Sequence, residues 1–204
     1  MTTPRPNMIR RTAEPSATKQ RTPVKIVITG PFSAGKTTLI KTISEVAIVG
    51  TERDVTDETK AIKERTTVAM DFGRISFEDD ASLFLFGTPG QRRFEVMWEI
   101  LSDGMIGFIL LIHAGDERSL MEGWHILQTF KSYADVPYVI GVTHMDEAQI
   151  SDDEVFAQVR EVLELPPEVN VYPCDPRQRE DVKALMLQIL REVQERLERA
   201  EAAG

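Results

Sequence analysis

The stretch GPFSAGKTT, Gly30 to Thr38, has the residue types and spacing to hold a phosphate chain. Gly30 and Gly35 bracket four residues and are followed by Lys36 and Thr37, the full Gly-x-x-x-x-Gly-Lys-Thr pattern of a phosphate-binding loop. The glycines let backbone N–H groups converge on phosphate oxygens, and the N-terminus of a following helix adds partial positive charge. Lys36 reaches the β- and γ-phosphates, and the Thr37 hydroxyl is a hard oxygen ligand for Mg²⁺. The candidate phosphate contacts are therefore Gly30, Phe32, Ser33, Ala34, Gly35, Lys36, Thr37 and Thr38.

A loop of this kind does not choose a base. Thr143-His144-Met145-Asp146 has the chemistry to do so. It follows an apolar strand, at the carboxyl edge where open α/β sheets bind ligands. A carboxylate there accepts from the N1–H and 2-amino groups of guanine, whereas adenine offers no such pair of donors. Leaving a buried carboxylate unsatisfied costs on the order of several kcal/mol. The competing reading is that Asp146 only begins a loop rich in helix caps, DEAQISDDE.

The elements that position these residues are legible in the apolar pattern. VKIVITG (24–30) is β-branched and short, a buried strand running into the loop. KTTLIKTISEVA (36–47) places Leu39, Ile40 and Ile43 on one helical face. Residues 50–66 are charged and aperiodic, a loop. VAMDFGRISF (68–77) and SLFLFG (82–87), joined by EDDA, predict an antiparallel hairpin. Residues 91–102 pass from loop into helix, and MIGFILLIHA (105–114) is a central strand. A helix spans 117–133, where Gly123 costs about 1 kcal/mol relative to Ala. VPYVIGVTH (136–144) is a further buried strand. Ser151 and Glu154 form a capping box, after which Val155, Val159 and Val162 face the core. NVYP (170–173) is a short last strand, and Val182, Leu185, Ile189, Val193 and Leu197 mark an amphipathic closing helix. Six strands alternating with helices predict a doubly wound α/β fold. Its sheet is mostly parallel with one antiparallel strand, and helices cover both faces.

The 204-residue length suits one domain over 23–204. Residues 1–22, rich in Pro, Thr and scattered charge, read as a disordered basic tail. That tail is either solvated or a weak anchor for anionic lipid or an acidic partner. The net charge of −9 argues against a nucleic-acid footprint. One cysteine, Cys174, builds no disulfide framework and no thiolate zinc site, and fits a reducing cytosol. No apolar run is long enough to span a bilayer, and neither a signal peptide nor myristoylation or prenylation is expected from the ends as they read. Membrane visits would then be peripheral, through a partner or the tail.

Taken together, these motifs resemble those of Ras-superfamily small GTPases over residues 24–197. GPFSAGKTT is similar to Arf-like and bacterial MglA-like phosphate loops. GTPGQ (87–91) resembles the Asp-x-x-Gly-Gln segment of switch II, and THMD (143–146) resembles the Asn/Thr-Lys-x-Asp guanine motif. TTVAMDF (66–72) resembles a Rab segment in which a threonine precedes a strand. The nearest group is the bacterial Ras-like GTPases paired with roadblock/LC7-type proteins. The resemblance implies a Ras-like P-loop fold, GTP/GDP and Mg²⁺ as ligands, and a roadblock-type partner. It implies that Thr67 senses the γ-phosphate and completes the Mg²⁺ shell with Thr37. Gly90 would donate its amide to the γ-phosphate, and Gln91 would orient the attacking water. Thr143 would stand in for the motif's asparagine and His144 would lie over the base. The backbone near Cys174 and Asp175 would meet the base carbonyl.

Departures from that pattern matter. Gly87 stands where an aspartate usually holds a magnesium-bound water, and Asp71 on the neighbouring strand either replaces it or faces solvent. Phe32 would crowd an arginine finger from a partner, leaving Arg53 or Arg65 as intrinsic arginines or as solvated loop charges. Phe94, Met97 and Trp98 either form an exposed, nucleotide-sensitive patch or pack under the sheet. His113 reads as hydrogen-bonded structure and His125 as a surface residue. The expected function is a guanine-nucleotide switch that hydrolyses GTP slowly. The rivals are a pseudo-GTPase that holds nucleotide without turnover and an ATP-dependent small-molecule kinase, whose usual arginine-bearing lid is not evident.

Overall fold

A computed structural model describes residues 24–46, 70–77 and 82–203. The basic tail, the 50–66 loop, the EDDA turn, Thr67, Arg53 and Arg65 lie outside the described residues. The first strand, β1 (Val24–Thr29), runs into the Gly30–Gly35 loop and helix α1 (Lys36–Ile43). Strands β2 (Asp71–Ser76) and β3 (Ser82–Gly87) follow, then a 3-10 turn (Arg92–Phe94) and α2 (Glu95–Ser102). Next come β4 (Gly107–His113), α3 (Glu117–Tyr133) and β5 (Tyr138–Thr143). A second 3-10 turn (Met145–Glu147) precedes α4 (Asp152–Val162), β6 (Val171–Pro173) and α5 (Arg179–Ala203).

Among the described residues, six strands form one sheet in the order β2-β3-β1-β4-β5-β6. Every pairing is parallel except β2 with β3, the predicted hairpin. Side-chain alternation divides the core into two layers. Ile26, Ile28, Ile109 and Leu111 pack with Leu39 and Ile40 of α1 and with Val182, Leu185 and Ile189 of α5. Val27, Phe108, Leu110 and Ile112 pack on the other face with Trp98 of α2, Leu127 and Phe130 of α3, and Val155 and Val159 of α4. Because both faces are covered, β4 is buried along almost its whole length and reads as a continuous apolar run.

Local chemistry sets the element ends. Asp116 caps α3 by accepting from the Arg118 amide, and the Ser151–Glu154 capping box opens α4 as its spacing predicts. Gly123 has a packing reason: a Cβ there would lie 2.2 Å from Ile112 Cδ1, so α3 sits on β4 more closely than alanine allows without repacking. The first helix stops at Ile43 rather than at residue 47, because the chain turns to cover the sheet edge. Glu45 N–H donates to the Arg74 carbonyl (2.9 Å), and the Glu45 carboxylate accepts from Ser76 N–H (3.0 Å). This satisfies part of β2, whose free edge would otherwise be open to another chain.

One predicted core position, Leu197, faces solvent, and the open choice at Trp98 is decided. Leu197 is 60% exposed, since α5 runs on past the sheet, and the buried stripe ends with Ile189. Trp98 belongs to no exposed patch: it is fully buried against Phe130, and its indole N–H donates to the Pro89 carbonyl at 2.8 Å. The exposed apolar residues of α2 are instead Val96 and Ile100. Among the described residues, no helix is long and apolar enough to cross a membrane.

Candidate functional site

Gly30 leaves β1 at φ 143°, with the Leu111 carbonyl of β4 only 2.3 Å from where a Cβ would stand, so the strand exit admits glycine alone. Gly35 is left-handed at φ 91° and forms the N-cap of α1. Ser33 also has positive φ, and its hydroxyl donates to the Phe32 carbonyl. The loop thus wraps onto a helix N-terminus, the geometry that concentrates amides and partial positive charge. Inside the curve, Lys36 Nζ donates to the carbonyls of Gly30 (2.7 Å) and Pro31 (2.5 Å). Burial pushes its amine down to about 8, opposed by the charges of Asp71 and Glu122. Ala34 is fully buried beneath the loop, whereas the Phe32 ring is 70% exposed at its rim.

A cleft of about 470 Å³ opens over this loop. Its floor is Phe32, Ser33 and Gly35–Thr38, and its far wall is Thr88–Gln91 with Arg93 and Phe94. That wall is anchored. Thr88 N–H donates to the Ile28 carbonyl, its hydroxyl bonds Thr29, and Trp98 holds the next carbonyl. Gly90 then leans on the phosphate loop, where an added Cβ would lie 2.6 Å from Phe32 N and 2.9 Å from Lys36 Nζ. Gln91 is exposed on the same wall. Arg93, which sequence reasoning did not single out, also lines the cleft, its guanidinium 4.8 Å above the Phe94 ring. Its only signal in the sequence is proximity to GTPGQ.

Asp71 is half-buried and turns towards Thr37 at the cleft rather than out into bulk solvent. It opens β2 directly opposite Gly87 in the ladder, and Asp71 Oδ2 accepts from the Thr37 hydroxyl at 2.5 Å. A hydroxyl and a carboxylate side by side at the mouth of the cleft are hard oxygen donors of the kind Mg²⁺ takes. The other expected ligand, Thr67, is outside the described residues.

Two smaller cavities continue the groove along the carboxyl edge of the sheet. One, about 130 Å³, is bounded by Ser33, Gly35, Thr38, His144, Asp175, Pro176 and Arg177. The other, about 260 Å³, is bounded by His144–Asp146, Pro173–Asp175, Arg177 and Asp181. Thr143 is buried, and its hydroxyl lies 3.2 Å from the Ala34 carbonyl, tying β5 to the phosphate loop. His144 is left-handed at φ 56°, which swings the 145–147 turn outward. Burial, and then the neighbouring His113, hold its imidazole below the ordinary histidine range.

Here the structure departs from the expected base site. The Asp146 side chain is 68% exposed and stands 3.8 Å from Arg177, so any selectivity attached to a buried carboxylate depends on a base covering it. Asp175 N–H, expected to meet the base, donates to Asp181 at 3.0 Å. Asp175 itself grips Arg177 through two side-chain bonds, which hold its carboxyl below the usual range. Cys174 is almost fully buried, with its N–H bonded to the Val142 carbonyl and its thiol pushed up to about 12 by burial. It is wall rather than reactive group. His125 is half-buried beside Trp98, not free on the surface.

A phosphate loop at the switch between parallel strands, opening into a groove across their carboxyl ends, defines a P-loop nucleotide-binding protein. Residues 28–195 match the family described as a conserved hypothetical ATP binding protein, and the chain belongs to that family. It is also similar to an uncharacterized protein of Methanocaldococcus jannaschii, 32% identical over 134 residues, which cover 65% of this chain and 77% of that one. This family assignment corrects the resemblance to Ras-superfamily, MglA-like GTPases. The shared features were those of any phosphate loop on such a sheet, and the later motifs are short and degenerate. The roadblock-type partner was implied by that resemblance alone and has no independent support.

Proposed function

We propose that the chain binds guanine nucleotide with Mg²⁺ and hydrolyses GTP slowly. The observation that carries this reading is the position of Asp146. It lies at the carboxyl end of β5, on the wall of a cavity that shares His144, Asp175 and Arg177 with the one bordering the phosphate loop. A guanine seated there would cover the carboxylate and satisfy it with two donors.

In this reading Lys36 turns from its loop carbonyls to the β- and γ-phosphates, and Gly90 donates its amide to the γ-phosphate. Gln91 orients water for in-line attack at the γ-phosphorus. The bond from that phosphorus to the bridging oxygen breaks, GDP departs, and the water's oxygen ends in phosphate. Thr37 and Asp71 would hold Mg²⁺, which supplies positive charge to the phosphate oxygens. Phe32 in the phosphate loop and Gly87 in place of an aspartate both depart from the pattern of fast hydrolysis, which is why turnover alone should be slow.

The second reading is an adenine-nucleotide binder, as the family description suggests. It is favoured by Arg177 beside Asp146 and by Asp181 on the Asp175 amide, both of which take up groups a guanine would use. Competition decides between them. A fluorescent guanine diphosphate analogue, bound with Mg²⁺, should be displaced by GDP and GTP and not by ATP. Equal displacement by ATP would sink the guanine reading. Single-turnover GTP cleavage that disappears in Gln91→Leu would separate an enzyme from a protein that only holds nucleotide.

A further inference from the structure

His113 ends β4 and pairs across the sheet with Thr143, the residue before His144. The two imidazoles stack with centroids 3.9 Å apart and planes 8° from parallel. Their neighbours assign the ring edges. The Thr143 hydroxyl has one proton, with the Ala34 and Ile112 carbonyls each at 3.2 Å to receive it. It therefore accepts from His144 Nδ1–H at 3.0 Å. His113 Nδ1 accepts from Gly115 N–H, so its own proton sits on Nε2, 3.4 Å from Glu147 Oε2.

His113, His144 and Glu147 bring possible metal-ligand atoms within 4.8 Å of one another. Their geometry is nevertheless wrong for an ion. Imidazole lone pairs lie in the ring plane, so two nearly parallel rings do not converge on one centre. His113 also carries its proton on the very nitrogen that would ligate. The cluster is built to stack.

We propose that His113 is a positioning residue for nucleotide binding: it backs His144 into a platform on which the base of a nucleoside phosphate stacks. One face of His144 is taken by His113 and its Nδ1 edge by Thr143, which leaves the other face and the Nε2 edge for the two cavities it lines. A purine there becomes the third layer, and Glu147 holds the first. Every base has a π-face, so the platform adds affinity without choosing the base. That choice is left to Asp146. The proposal rests on reading these cavities as the nucleoside site, and it holds for either base.

The test compares GDP, ADP and pyrophosphate binding, with Mg²⁺, to the full chain and to His113→Leu and His113→Phe. His113→Leu should weaken GDP and ADP alike by about 5- to 10-fold, the weight of one aromatic pair. Pyrophosphate affinity and the GDP-to-ADP ratio should stay unchanged, and His113→Phe should restore both nucleotides. A parallel loss of pyrophosphate binding would overturn the proposal, since His113 would then serve the fold. Unchanged GDP and ADP affinity in His113→Leu, or no rescue by phenylalanine, would also overturn it. The wild-type chain gives a test free of any folding defect: bound 2-aminopurine riboside diphosphate should be quenched by stacking, and unquenched emission refutes the platform. Equal affinity for GDP and ADP would defeat the guanine reading while leaving the platform standing. Neither nucleotide binding better than pyrophosphate would defeat both.

Discussion

Asp71 and Gly87 face one another across the β2–β3 ladder, and the carboxylate of the first fills the space a side chain on the second would need. A Cβ on Gly87 would lie 2.9 Å from Asp71 Cβ and 2.8 Å from Ile40 Cδ1. The acidic group beside Thr37 thus comes from the neighbouring strand, and glycine opposite is the condition for it. Asp71→Asn should weaken the Mg²⁺ dependence of nucleotide affinity by about 10- to 100-fold, the usual weight of a group supporting a metal site. Mg²⁺ titrations of nucleotide binding will read this, and an unaltered titration would remove Asp71 from the metal site.

Lys36 gives binding a pH signature. Its folded value of about 8 lies below its ordinary 10.5 because burial disfavours the charged amine. Between those values the unfolded chain holds the extra proton, so the stability of the free protein rises with pH from about 8 to about 10.5. Polyphosphate beside the amine restores the charged form, so binding takes up a proton. Affinity should be level below about pH 8 and fall above it. Calorimetry at about pH 8.5 in buffers of different ionisation enthalpy should detect that uptake and lose it in Lys36→Met. Binding without proton uptake would contradict the placement of Lys36 against the phosphates.

Asp146→Ala should erase discrimination between GDP and ADP by weakening GDP about 10- to 100-fold, the range for hydrogen bonds to a charged group. ADP affinity should change little. If the variant keeps the wild-type preference, Asp146 is a loop residue and the base is read elsewhere.

Trp98 is wired to the nucleotide cleft through Pro89, whose neighbour Gly90 leans on Phe32 and Lys36. In a Trp124→Phe background, indole emission should therefore differ between GDP and a non-hydrolysable GTP analogue. Identical spectra would mean that the 88–94 segment does not sense the γ-phosphate.

What the chain order alone determined is the set of elements and the phosphate loop. Strong periodicity, the Ser151–Glu154 box and the Gly-Lys-Thr spacing are local signals, read within a few residues of where they act. That is why the hairpin, the 117–133 helix and the course of the Gly30–Gly35 loop were legible from residue types. Which alternative holds for Asp71 and Trp98 was not legible, nor was the stacking of His113 on His144. Each depends on a partner far along the chain: Thr37 for Asp71, Phe130 for Trp98, His144 for His113. Sheet order and register bring those partners together, and no local pattern encodes them. The choice of base is the sharpest case. THMD names a carboxylate, but its exposure, and the hold of Arg177 and Asp181 on its surroundings, arise only where the loops after β5 and β6 meet.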